Sequence, residues 1–288
     1  MNCVLPFLTR RNLILKVSAL FAANSMPAHA ATEDAIAAIE RSHGGRLGVF
    51  ALDTGTGRTL AHRPDERFLL QSTFKGILAA MVLSRVDGGQ DDLGRPVAYS
   101  TNDLLPASPV TAAHAPEGQL TVGELCQAIL ERSDNTAANL LLARVGGPES
   151  LTSYVRGLGD TVTHFDRYEL VEGWSGTMDT TTPRAIAGSA GTVVLGDTLK
   201  PGSRALLQRW MKANAVGQTR LRASLPSDWA AGDRTGTSKG VCNDYAVAWP
   251  PGRAPLVMAA YYDAPALDIA GQEVVLREVG SAIVKWAG

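Results

Sequence analysis

Ser72-Thr73-Phe74-Lys75 stands where extended chain gives way to helix, and the sequence on either side of it sets the architecture. Downstream, to about residue 213, apolar spacing is mostly helical, broken by polar loops that carry Gly and Pro. A helix is expected from Leu120-Thr121 through Ile129, and another over 136–145. Upstream, residues 46–53 (RLGVFALD) and 57–63 (GRTLAHR) read as two strands. Asp53-Thr54-Gly55-Thr56-Gly57 between them supplies hairpin chemistry. Strand signals return at 229–237, 245–249 and 256–262. A helix over 32–42 precedes the first strand, and one with Val275, Leu276, Val279, Ile283 and Trp286 on one face closes the chain. Strands thus bracket a helical insertion. The expected fold is α/β: a five-stranded antiparallel sheet flanked by the N- and C-terminal helices, plus an all-helical domain. The sheet domain takes residues 31–65 and 214–288, the helical domain 66–213, and a cleft is expected between them.

The 288 residues carry 27 Lys plus Arg against 28 Asp plus Glu, and 45% are hydrophobic. Near-neutral charge argues against a nucleic-acid partner, which calls for a basic excess. The apolar content excludes global disorder, and no apolar run approaches the ~20 residues of a membrane span. A soluble protein is expected. The five histidines, at 29, 43, 62, 114 and 164, show no ligand spacing, so no metal is expected.

Residues 1–30 contain Arg10, Arg11 and Lys16 and no acid, then an apolar stretch, then Ala28-His29-Ala30. That is the order of a secretory signal peptide, with cleavage expected after Ala30. Arg10-Arg11 resembles a twin-arginine export signal. The expected compartment is a bacterial periplasm. Cys3 goes with the signal, and Cys126 and Cys242 remain. Two cysteines permit one bridge, but Cys126 falls in an apolar helix pattern, and two free thiols are expected.

Three short motifs carry chemistry. Ser72 and Lys75, three apart, share one helical face. Partial positive charge at a helix start favours an alkoxide, and a neighbouring Lys can relay its proton. Alone this pattern is weak, since S-x-x-K arises about once by chance in such a chain. Ser133-Asp134-Asn135 offers a proton-shuttling hydroxyl and an amide that donates and accepts; it also suits a helix N-cap, a role expected of Asp134. In Arg234-Thr235-Gly236, the Gly inside a strand implies a close backbone approach. Arg234 and Thr235 suit a carboxylate, and the Thr237 N–H beside that of Ser72 suits an oxyanion hole.

The trio in this order, spaced by 61 and 101 residues, resembles the class A serine β-lactamases, whose fold is shared with penicillin-binding transpeptidases. Val122-Gly123-Glu124-Leu125-Cys126 resembles that family's helix before the S-D-N loop. Arg167-Tyr168-Glu169 and Asp179-Thr180-Thr181-Thr182-Pro183 resemble the two ends of its Ω loop. Asn243-Asp244-Tyr245-Ala246-Val247 and Trp249-Pro250-Pro251-Gly252-Arg253 resemble its strand after the hairpin.

The resemblance implies that Ser72 attacks a β-lactam carbonyl, with Lys75, Ser133 and Arg234 as the proton and charge network. It implies deacylation by Glu169 through a water, and leaves the acylation base open between Lys75 and Glu169. Asn135 is expected on the substrate's side-chain amide. Thr235, Gly236 and Thr237 are expected around its carboxylate with Arg220, though adjacent Arg222 could substitute and Arg220 be a surface cation. An Arg167–Asp179 salt bridge is expected to pin the Ω loop. The implied protein is a monomer, without cofactor, whose partner is a small β-lactam, hydrolysing penicillins and some cephalosporins and giving antibiotic resistance.

Departures from the family's pattern bear on rate. Arg234 replaces the usual Lys, Gly173 stands where an Asn helps hold the deacylating water, and Ala107 stands where an aromatic gatekeeper is usual. The Ω loop is about three residues short, and the hairpin 238–242 one short. Gln71 and Ala79 leave neither common family disulfide with both its cysteines. Two alternatives stay open, a penicillin-sensitive D-Ala-D-Ala peptidase and a β-lactam-binding protein that stays acylated. Glu169 in its Arg-Tyr-Glu setting argues against the peptidase.

Overall fold

A computed structural model describes residues 26–170 and 176–288, with side chains from residue 34 onward. Residues 1–25 of the expected export signal, Glu172 and Gly173 lie outside them. The strands are β1 (Arg46–Asp53), β2 (Thr59–His62), β3 (Ala230–Ser238), β4 (Val241–Trp249) and β5 (Leu256–Asp263). They form one antiparallel sheet in the order β2-β1-β5-β4-β3. The two terminal segments of the chain meet where β1 pairs with β5, Val49 opposite Ala260.

The helices are α1 (Met26–His43), α2 (Phe74–Asp87), α3 (Pro109–Ala113), α4 (Val122–Glu131), α5 (Asn135–Val145), α6 (Pro148–Gly157), α7 (Pro183–Leu195), α8 (Pro201–Lys212) and α9 (Ile269–Ala287). Both faces of the sheet are covered, which explains why β1 reads as a nearly unbroken apolar run. Leu47, Val49 and Ala51 pack with Ile36 of α1 and with Val275, Leu276, Val279 and Ile283 of α9. Phe50 faces the other way, into a core shared with α2, α4, α5 and α7. From Phe74 to Leu83 every residue of α2 is buried, so the helix after Ser72 is the axis of the helical layer. No helix among the described residues is long and apolar enough to cross a membrane.

Several boundaries differ from the sequence reading. Residues 119–121 form a short strand pairing with residues 96–98, and α4 starts after them at Val122. Thr121 caps it, accepting from the Glu124 N–H while Glu124 accepts from the Thr121 N–H. α5 begins at Asn135, because Asp134 accepts from the Ala137 N–H at 2.9 Å. β4 begins four residues early, at Val241, across a two-residue turn from Ser238. α1 is already helical at Met26, so the expected cleavage after Ala30 falls inside it.

Cys126 and Cys242 are both free and buried, in different cores: Cys126 among the helices, Cys242 on the sheet face under α1 and α9. Burial pushes both thiols up, Cys242 to about 12, so neither is a reactive thiolate at neutral pH. Thiol titration of denatured, unreduced protein lacking residues 1–30 should count two, with a melting temperature insensitive to reductant. A count of zero would reveal a bridge.

Candidate active site

The cleft between sheet and helical layer has a volume of about 760 Å³. Ser72 lies in a short 3₁₀ turn (Gln71–Thr73) that runs straight into α2, and Lys75 sits in the first turn of that helix. Three-residue spacing brings the Lys75 Nζ to 2.9 Å from the Ser72 Oγ. Ser133 lies between α4 and α5 with a left-handed backbone (φ 59°). Its carbonyl accepts from Lys75 at 3.0 Å, and its Oγ accepts from the Arg234 Nη2 at 2.6 Å. Arg234, on β3, also donates to the Ser72 carbonyl at 3.0 Å. Residues separated by up to 162 positions thus surround one hydroxyl.

Gly236 shows why the strand needs glycine. A Cβ there would stand 2.8 Å from the Leu70 carbonyl and 3.0 Å from the Gln71 Cβ, so a side chain would push β3 off the turn that holds Ser72. Ser72, Thr235 and Thr237 all line the cleft.

Glu169 arrives from the loop after α6. Its Oε1 accepts from the Ser72 Oγ at 3.3 Å and lies 3.1 Å from the Lys75 Nζ. Two restraints hold its backbone. Asn139 of α5 accepts from the Glu169 N–H and donates to the Glu169 carbonyl, both at 2.9 Å. Arg167 and Asp179 join the ends of the loop, Nε to Oδ2, at 2.5 Å. Asn139 went unnoticed in the sequence; the signal was its place one turn after Asn135, on the same helical face.

Lys75 is fully buried, and burial lowers its pKa to about 8. Glu169 and Asp134 raise it and Arg234 lowers it, so the low value comes chiefly from lost hydration. Arg234, also buried, is pushed down to about 10 for the same reason. Asn135 uses both ends of its amide, accepting from Lys75 at 2.5 Å and donating to the Pro106 carbonyl at 2.8 Å. One of its two N–H bonds remains for a substrate carbonyl.

Arg220 is no surface cation. It is 2% exposed and donates to the Gly236 and Asn243 carbonyls at 3.1 and 2.8 Å, and to the Thr237 Oγ1 at 2.6 Å. Its Nε pairs with Glu273 at 3.2 Å. Arg222 cannot stand in for it, because it pairs with buried Asp233 at 2.9 Å. Three of the histidines pair with nearby acids, and no group of three or more His, Cys, Asp or Glu among the described residues could hold a metal.

The comparisons agree with this geometry. The family model of the beta-lactamase enzyme family matches residues 31–287. The chain is 44% identical to the carbapenem-hydrolyzing beta-lactamase KPC of Klebsiella oxytoca over 259 residues, 88% of this chain and 87% of that protein. It is likewise 44% identical to a beta-lactamase of Streptomyces fradiae, over 92% of this chain and 90% of that protein. Among solved structures, a beta lactamase from Burkholderia vietnamiensis superposes with a TM-score of 0.89 at 56% identity, covering 90% of this chain and 97% of that one. An ancestral class A beta-lactamase gives 0.85 at 49% identity, over 88% and 98%. With its sheet, helical layer and serine-centred cleft, this chain belongs to the class A β-lactamase family, the serine hydrolases of β-lactams.

Proposed function

We propose that the enzyme hydrolyses penicillins and some cephalosporins through an acyl-enzyme on Ser72. The Ser72 Oγ bonds to the β-lactam carbonyl carbon, the ring C–N bond breaks, and the Ser133 hydroxyl passes a proton to the departing nitrogen. The Ser72 and Thr237 N–H groups stabilise the oxyanion. Burial lowers the Lys75 pKa to about 8, which makes its neutral amine accessible, and Lys75 and Glu169 both lie within reach of the serine proton. Glu169 then draws a proton from water, whose oxygen bonds to the ester carbon; the bond to the Ser72 Oγ breaks, that oxygen regains a proton from the Lys75–Glu169 network, and the ring-opened acid leaves.

One observation carries the hydrolytic reading: the Glu169 carboxylate touches both Ser72 and Lys75, the place from which a base reaches water at the ester carbon. A peptidase or a protein that stays acylated has no need of it. Intact mass spectrometry with benzylpenicillin tests this. A transient adduct with rapid product supports hydrolysis, and a persistent adduct overturns it.

Asn135 takes the substrate's side-chain amide, and Thr235 and Thr237 take its carboxylate. Because the Thr237 oxygen accepts from Arg220, its hydroxyl proton is free to donate onward. A charge-assisted hydrogen bond contributes roughly 1.5–3 kcal/mol, so Arg220→Ala should lower kcat/KM on the order of 10- to 100-fold. An unchanged value would remove Arg220 from substrate binding. We read the chain as a sheet domain (31–65 and 214–288) and a helical domain (66–213) that share one core, since Phe50, Tyr245, Val257 and Tyr261 of the sheet pack with the helical layer. We further read the protein as exported to the periplasm by way of Arg10-Arg11 and cleaved after Ala30.

A further inference from the structure

We propose that Arg132 determines specificity by giving the cleft a subsite for a second anion, so that the enzyme favours cephalosporins with an ionised C3 arm. This rests on the acyl-enzyme reading above. Arg132 follows the last turn of α4, immediately precedes Ser133, and lies exposed on the cleft wall with Pro109 and Ala112.

The charges around it are already committed. Arg220 pairs with Glu273, Arg222 with Asp233, and Arg234 donates to Ser133. Arg132 makes no hydrogen bond or ion pair through its side chain among the described residues. Glu169 is the only acid lining the cleft among the described residues, and it pairs with Lys75. Arg132 also borders a shallow depression with Glu124 and Glu131. Glu124 is held in the cap with Thr121, and Glu131 accepts from Gln127 at 3.0 Å. The neighbouring wall supplies Leu105 and Ala107, which neither neutralise a guanidinium nor bond to it.

The carboxylate of a singly charged β-lactam is already served by Thr235 and Thr237, with Arg220 and Arg234 behind them. The Arg132 cation is surplus to that task. In a cephalosporin, C3 is bonded to the carbon that bears the carboxylate, so its arm starts beside the carboxylate's partners, in the cleft that Arg132 also lines. A guanidinium there can take an oxyanion with two parallel hydrogen bonds. A cation after the last turn of α4 also suits the helix dipole, and that purely structural role predicts a different result.

Ceftriaxone, with an ionised triazinedione at C3, and cefotaxime, with a neutral acetoxymethyl, share one acyl side chain. Each would be measured by competition against benzylpenicillin in wild type, Arg132→Gln and Arg132→Lys. Arg132→Gln should weaken ceftriaxone about fivefold and cefotaxime less than about twofold; Arg132→Lys should keep most of the preference, and high salt should shrink it. Benzylpenicillin turnover should hold within about twofold in both variants. Equal changes for the two cephalosporins, or a lowered melting temperature with no change in preference, would overturn the proposal. Wild type that fails to turn over benzylpenicillin would overturn the acyl-enzyme reading and this inference with it.

Discussion

Glu169→Gln protein mixed with benzylpenicillin will accumulate acyl-enzyme and hold it for minutes or longer. The substitution keeps the side chain's shape and the backbone clamp to Asn139, and removes only the base. General bases contribute typically ~10²–10⁴-fold, and the loss should fall on the second half of the reaction. Glu169 also lies 3.1 Å from Lys75, so the neutral amide will leave that ammonium with less compensation and lower its pKa further. Acylation in the variant should therefore persist and gain in relative rate towards lower pH, as neutral Lys75 becomes available there. Stopped-flow traces with intact mass across pH 6–9 check both points. Glu172→Gln should turn over nearly normally; an adduct that persists in Glu172→Gln and not in Glu169→Gln would reassign the base.

On the proposed mechanism, Ser72→Ala should remove covalent chemistry altogether. Deleting a nucleophile of this kind costs about 10⁶-fold in kcat, and no adduct should form with any β-lactam. The fold should survive, because Ser72 holds its turn through backbone bonds, and among the described residues its hydroxyl bonds to the Lys75 and Glu169 side chains. The melting temperature should stay within a few degrees of wild type, since the salt bridge between Lys75 and Glu169 remains. Detection of an adduct by intact mass would place the nucleophile elsewhere.

Much of this molecule is written locally. Short apolar runs between turn signals identified all five strands, and 3.6-residue spacing the closing helix, because strand and helix leave their marks within a few neighbouring residues. Serine, lysine and glutamate with their neighbours were legible for a different reason, since each chemistry needs a specific residue type in a short motif. The boundaries were less legible. Residues 119–121 pair with 96–98, and a bond with a distant strand leaves no period in three residues.

The site's wiring lay beyond the sequence. The place of Asn139 one turn after Asn135 puts it on the same helical face, but its bonds to Glu169 need α5 to meet a loop thirty residues away. Arg220 and Arg222 are both arginines in the same short stretch, and sequence could not choose between them. Packing chose: one guanidinium is threaded under Gly236 to reach Thr237, and the other turns to Asp233. The lowered pKa of Lys75 is likewise a tertiary property, because its largest cause is exclusion of water by side chains from the whole helical layer. The sequence by itself determined which groups the enzyme has and where its strands and helices run. Only the tertiary structure decided which of those groups meet, since distances between residues far apart in the chain are set by how the sheet and the helical layer pack.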